Sequence, residues 1–359
     1  MSKLTILTKI KPRYLPEIWL TPDHMILVAA GTWRGCGKHK WKPAELIKEP
    51  YRKGISVYYD HVVIPKVTET RVPILDFRPF VKRATRLKKW AKEPTELTET
   101  MAEFFGWYVA EGSISSTAVQ FSLGTENEVD RVKELIEFMG MRSWISRLKG
   151  QNGYLVVAPS RVLARACEAW FGRGAKNKKI PRFLLEAPPR LIRAFLQGYI
   201  NGDGCERISR KSEIVEISSV SKILIIQIQF LLMRLGLIAS YHKQKPQTTI
   251  QGRKVNSSPI RLLMLTKYPK YKFYREDKKF YYLPVERIEK FIYYRSAHGF
   301  ENSKSSYFVP FIVQGLDSKN SLTDNFSALN STTNAIITKF YSNESQIQNN
   351  PSQRDERDV

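Results

Sequence analysis

Cysteine is scarce: Cys36, Cys167 and Cys205 are the three in 359 residues. That is too few for a disulfide framework, and it suits a reducing, cytoplasmic setting. Cys36-Gly37-Lys38-His39 has the spacing of half a metal site, but no second Cys/His pair accompanies it, so a zinc centre is not expected. Acidic residues are also short, with 34 Asp and Glu against 58 Lys and Arg, a formal charge of +24. This excess points to a polyanionic partner. Without a long uncharged apolar run or a signal peptide, nucleic acid is expected rather than a lipid surface. Residues 1–80 read as short β-strands and offer no catalytic triad or phosphate loop. From residue 317 to 359, Asn, Ser, Thr and Gln dominate, and such a segment buries too little apolar surface to order itself.

What the chain does contain is one pattern written twice. Residues 104–113 read Phe-Phe-Gly-Trp-Tyr-Val-Ala-Glu-Gly-Ser, and residues 195–204 read Phe-Leu-Gln-Gly-Tyr-Ile-Asn-Gly-Asp-Gly. Both are apolar helix signals with small residues four apart, Gly106 and Ala110 in one, Ala194, Gly198 and Gly202 in the other, so each helix has a face that another backbone can approach closely. Each ends in an acid followed by glycine, Glu111-Gly112 and Asp203-Gly204, and the glycine predicts a left-handed helix stop. A helix C-terminus is already negative, so an acid there gains nothing from the dipole and a positive group is expected beside it. If the small faces pack together, Glu111 and Asp203 meet as a pair that needs a shared proton or a cation. Hard divalent ions such as Mg²⁺ take oxygen sites of this kind.

The pattern extends into a longer repeat. Phe121 matches Ile217, Leu135 matches Leu231 and Gly140 matches Gly236, all 96 apart, whereas the acids are 92 apart. Four extra residues are therefore expected in the second copy, around Arg207 to Lys211. Two similar α/β units about a pseudo-twofold axis is the architecture this predicts, an α+β fold. Either Thr98 or Thr100 is suited to cap the first motif helix.

Candidate nucleic-acid contacts cluster in this repeat. The strand after each amphipathic helix mixes basic, hydroxyl and aromatic groups: Arg142, Trp144, Arg147 and Lys149 in the first copy, His242, Lys243 and Lys245 in the second, to which the extra segment adds Arg207, Arg210 and Lys211. These are the groups that touch phosphates and base edges. Lys179 and Lys279 follow the two units at comparable distances and are candidates to steady charge at a metal-bound phosphate. The expected organisation is a β-rich module over 1–80, a basic linker over 81–98, repeat units over 99–190 and 191–285, a second β-rich flank over 286–316, and the tail.

The doubled motif resembles the LAGLIDADG homing endonucleases, since Phe104 to Gly112 and Leu196 to Gly204 align with those nine letters. The resemblance covers about residues 95–285. It implies a monomer with an αββαββα unit in each half, saddle-shaped sheets over double-stranded DNA, and Glu111 and Asp203 as the Mg²⁺-binding acids of an enzyme that cuts both strands with staggered ends. An RNA maturase or a non-cutting DNA-binding protein is the alternative. The flanks resemble an intein splicing (Hint) module: Leu20-Thr21-Pro22-Asp23-His24 is similar to its Thr-x-x-His block, and Tyr307 to Val313 to the strand before the splice junction. Gln314-Gly315 stands where His-Asn would be, and no Cys or Ser nucleophile block precedes Thr21 at the usual distance, which implies an inactive splicing scaffold or a DNA-docking accessory.

Overall fold

In the computed structural model, the described residues are 5–315 except 33–34, 54–55, 69, 82–86, 149–152, 210–211, 245–248, 251–252, 255–258, 267–271, 294–305 and 310–311. The fold is α+β, and the chain forms two compact units: residues 1–67 together with the chain from Lys270, and residues 68–269. The two β-rich flanks fall in one unit, and residues 68–80 fall in the unit of the repeat.

In the first unit, an antiparallel sheet runs in the order Ile18–Leu20, Thr5–Pro12, Phe280–Tyr293, Ser56–Pro65, Met25–Thr32, Ile312–Gly315, Ser306–Val309. Ile26 to Ala29 is fully buried, as a continuous apolar run demands of a central strand. The run His61-Val62-Val63-Ile64 lies beside it and ends at Pro65, after which the Lys66 N–H turns to the Lys279 carbonyl.

The second unit carries the repeat. Its first half is α1 (Glu99–Glu111), β1 (Gly112–Ile114), β2 (Val119–Leu123), α2 (Glu126–Phe138), β3 (Trp144–Arg147), β4 (Tyr154–Ala158) and α3 (Arg161–Phe171). Its second half is α4 (Pro189–Asp203), β5 (Gly204–Ser209), β6 (Ser212–Ser219), α5 (Lys222–Arg234), β7 (Ser240–Lys243) and β8 (Arg261–Thr266). The sheets are ordered β3-β4-β2-β1 and β7-β8-β6-β5, the same topology twice. The first half completes αββαββα. In the second, among the described residues, a small hairpin, Thr249–Ile250 with Arg253–Lys254, precedes β8, and no helix follows it.

Sequence accounts for the helix starts. The Thr98 hydroxyl accepts the Met101 N–H at 3.2 Å, which makes Thr98 rather than Thr100 the cap of α1. Thr125 and Glu128 close a reciprocal capping box on α2, and Ser221 caps α5. Helix α5 is buried on every side, so its two glutamines need partners: Gln227 bonds the N–H and carbonyl of Ile180, and Gln229 donates to the Ala239 carbonyl.

Helices α1 and α4 pack through their small residues, and the contact is reciprocal. A Cβ on Gly106 would strike the Phe195 carbonyl and stand 2.8 Å from the Tyr199 nitrogen; one on Gly198 would strike the Glu103 carbonyl and stand 3.1 Å from the Trp107 ring. Phe195 and Tyr199 are the residues 92 beyond Glu103 and Trp107, so the same patch meets itself, the mark of a twofold axis. The four extra residues also find their place. Gly112 pairs with Phe121 and Gly204 with Ile217, so the first hairpin spans 121 − 112 = 9 positions and the second 217 − 204 = 13. The insertion lengthens the β5–β6 hairpin.

One expectation fails. Gly112 (φ −80°, ψ 139°) and Gly204 (φ −83°, ψ 143°) are extended, not left-handed. Glycine is required there for closeness: a Cβ on Gly112 would stand 2.5 Å from the Tyr108 carbonyl, and one on Gly204 2.7 Å from the Ile200 side chain. Each helix therefore passes into its first strand without a turn.

Candidate active site

The helix pair stays in contact to its last turn, where a Cβ on Gly202 would lie 2.6 Å from Ala110 Cβ and 3.2 Å from Glu111 Cγ. Glu111 and Asp203 therefore close α1 and α4 side by side. Glu111 is half-buried, and desolvation, reinforced by the charge of Asp203, pushes its carboxyl up to about 7. Solvent reaches the Asp203 side chain, yet enough protein surrounds it that desolvation raises this carboxyl too, against the downward pull of Tyr199 and Lys178. The Tyr199 hydroxyl, fully buried and without a partner at hydrogen-bonding geometry, sits close enough to Asp203 to interact with its charge.

The positive group expected beside the acids is Lys178. It is 4% exposed, and its ammonium donates to the carbonyls of Tyr108 (2.5 Å) and Gly112 (3.0 Å), the last turn of α1, while lying 3.4 Å from the Tyr108 ring centre. Burial lowers its pKa to about 7, opposed by Asp203 and Glu111. The segment that delivers it is anchored throughout. The Tyr108 hydroxyl donates to the Gly172 carbonyl, Gly172 and Gly174 take positive φ, Ser221 Oγ donates to the Lys178 carbonyl, and Gln227 grips Ile180.

Sequence reasoning pointed to Lys179, the adjacent residue. The structure uses the Lys179 N–H to close the end of α3, on the Phe171 carbonyl, and leaves its side chain half-buried, while it is the neighbouring Lys178 whose charge acts on both acids. The need for a cation at the end of α1 is legible in the sequence, but nothing in Lys178-Lys179 says which side chain turns inward. Lys279 lies in the other unit, exposed, on a tight turn where Asp277 accepts its N–H.

Each sheet has a helix-side face, marked by buried Phe121, Val156, Ile217 and Leu263, and an opposite face. Alternation places Trp144 (68% exposed), Arg207 and His242 on the opposite face. Arg207 is ion-paired to Glu216 at 2.7 Å. Arg147 and Lys243 fall on the helix side, Arg147 over the Tyr154 ring at 5.6 Å, and Arg142 is exposed just before β3. Lys149, Arg210, Lys211 and Lys245 lie outside the described residues.

In the first unit, Thr21 Oγ1 contacts both Asp23 and His24 Nδ1, and the strand that begins at Met25 pairs with Gln314 and Gly315. The Thr-x-x-His block and the segment in the place of a splice junction thus share one sheet region.

Among the described residues no three His, Cys, Asp or Glu side chains converge as a metal cage. The donor set of Glu111 and Asp203 nonetheless fits a hard cation: it is all oxygen, and desolvation raises both carboxyls, that of Glu111 further through the charge of Asp203, a penalty on the charged forms that a divalent ion relieves. Water and substrate oxygens would complete the coordination, as is usual for Mg²⁺. No described helix is long and apolar enough to cross a membrane.

Residues 190–276 match the family model of a LAGLIDADG-like domain. Relatives include the DNA-directed RNA polymerase subunit Rpo1C of Methanocaldococcus jannaschii, 28% identical over 40% of this chain and 17% of that protein. One subunit of the A-type ATP synthase of Pyrococcus horikoshii is 26% identical over 52% and 19%. The ATP-dependent DNA helicase Hel308 of Thermococcus kodakarensis is 28% identical over 82% and 30%. The chain thus spans less than a third of the length of these relatives. Similar solved structures include full-length DUF199/WhiA from Thermatoga maritima, with TM-score 0.33, 15% identity and coverage of 47% of this chain and 51% of that one. The homing endonuclease I-DmoI in complex with DNA and Mn has TM-score 0.32, 15% identity and coverage of 46% and 89%.

Proposed function

We propose that this LAGLIDADG-type chain is a site-specific endonuclease that hydrolyses both strands of a DNA duplex with a divalent metal. The observation that carries the reading is the carboxylate pair: Glu111 and Asp203 end two symmetry-related helices against a buried Lys178, with both carboxyls pushed above their ordinary range. A protein that only binds polyanions has no use for paired acids at the centre of a basic chain.

A cation held by Glu111 and Asp203 would supply Lewis-acid polarisation of the phosphate and an acidified water. The chain's own residues do the rest. Glu111 must lose its proton to bind the ion, Lys178 holds the positive charge that favours that loss, and the buried Tyr199 hydroxyl beside Asp203 steadies the second carboxylate. With a pKa near 7, Lys178 can hold or release a proton at neutral pH, and it is kept in place by the carbonyls of Tyr108 and Gly112. The charge of +24 supplies attraction for the duplex.

The relatives support a module reading. Parts of this chain match a minor part of a helicase, of an ATP synthase subunit and of an RNA polymerase subunit, proteins whose names share no activity. The first unit, with Thr21 and His24 beside Gln314-Gly315, then serves as a splicing scaffold without its junction asparagine, or as a DNA-docking accessory.

The test incubates the chain with plasmid carrying the uninterrupted host locus, with Mg²⁺ and with EDTA, beside Asp203→Asn. Linear plasmid is expected only from the unsubstituted protein with Mg²⁺. Tight binding without cutting by either protein would make it a binding module.

A further inference from the structure

Trp107 and Tyr199 occupy one position of the repeat, 92 residues apart and each four residues before its acid, so each lies one helical turn behind a carboxylate on the same side of its helix. Both are fully buried, at 1% and 0% exposure. Both also end in a polar atom, the indole Nε1 and the phenolic oxygen, that has no partner at hydrogen-bonding geometry. A buried polar atom left unpaired costs stability, and phenylalanine would fill either place without that cost. The tyrosine and the tryptophan nevertheless meet their acids differently. The Trp107 ring lies along the small-residue face of α4, 3.1 Å from where a Cβ on Gly198 would stand and 3.6 Å from one on Gly202, so it fills the helix contact. What acts on Glu111 is desolvation and the charges of Asp203, Glu128 and Lys178. The Tyr199 hydroxyl, by contrast, acts on Asp203 as a donor.

We propose that Tyr199 is a positioning residue that makes Asp203 the firmer of two unequal cation ligands. Its buried hydroxyl donates to the Asp203 carboxylate, as the outer partners of ligating carboxylates do, and so fixes the direction in which the other oxygen faces the ion. Glu111 is one methylene longer, and its counterpart of Tyr199 is an indole packed into the helix contact, so it is held less closely. The retained hydroxyl thereby has a use that phenylalanine could not serve. The inference rests on the divalent-metal reading of the acid pair.

The test is uptake of Mn²⁺ by the full chain without DNA, read from the EPR signal of the free ion. Tyr199→Phe should weaken binding by about ten- to a hundredfold, while Trp107→Phe should leave it within about threefold. The loss should persist in a Glu111→Gln background and vanish in Asp203→Asn, because coupling is confined to groups that touch. The Mg²⁺ concentration that half-saturates plasmid cleavage should rise in Tyr199→Phe in the same way. Parental Mn²⁺ affinity and Mg²⁺ demand in Tyr199→Phe overturn the inference and leave the nuclease reading standing, as does a loss of equal size in both backgrounds. No uptake by the unsubstituted protein, together with no cutting of the host-locus plasmid, overturns both.

Discussion

Replacing Lys178 with methionine separates stability from function. The folded protein holds this amine at about 7 against 10.5 in an open chain, so at pH 7 its burial costs about 4 kcal/mol. Methionine has a similar volume and no such cost. It does forfeit the hydrogen bonds to Tyr108 and Gly112, which are worth about 1–2 kcal/mol each. The net expectation lies between no change and a gain of about 2 kcal/mol, or up to about 8 °C in thermal midpoint. Because the pKa of Lys178 is depressed on folding, the unsubstituted protein regains stability as pH rises from about 7 towards 10.5, and the advantage of methionine shrinks across that window. Cleavage should move the other way, falling about tenfold or more, since Glu111 and Asp203 lose the cation that favours their charged forms. Scanning calorimetry at pH 7 and pH 10, with plasmid cleavage at pH 7, decides the matter. A midpoint lowered by several degrees with cleavage intact would refute this account of Lys178.

Glu111 carries its own pH signature. Its raised carboxyl favours the folded state below 4.5, and that contribution is lost as pH climbs through about 7; excess Mg²⁺ should offset the loss above pH 7 and not at pH 5, as read by thermal midpoint. Metal affinity by titration calorimetry should weaken by up to about tenfold per pH unit below 7, and less steeply in Glu111→Gln, where only Asp203 still has a proton to lose. Gly106→Ala and Gly198→Ala should each cost about 1–3 kcal/mol, because the new methyl strikes a carbonyl of the facing helix; denaturation midpoints matching the parent would contradict the close backbone contact. Asp203→Asn should leave DNA binding in EDTA within about threefold while abolishing cleavage, as gel-shift and plasmid assays report.

Much of the second unit was legible beforehand because it rests on repetition. A motif copied at an offset of 92 and a body copied at 96 specify two like units, an insertion of four and a meeting of Glu111 with Asp203. Small residues four apart specify a helix contact, since periodicity alone sets which face they share. Side-chain direction in irregular backbone has no such periodic signal. Lys178 turns inward and Lys179 does not because positive-φ glycines at 172 and 174, with Gln227 and Ser221 from the other half, set the path of one short segment. Arg147 and Trp144 both looked like nucleic-acid contacts, and strand alternation put them on opposite faces once pairing with Tyr154 and Val157 set the register. The joining of the two distant flanks into one sheet also depended on packing, because pairing between Thr5–Pro12 and Phe280–Tyr293 is a contact across some 280 residues that no local pattern encodes.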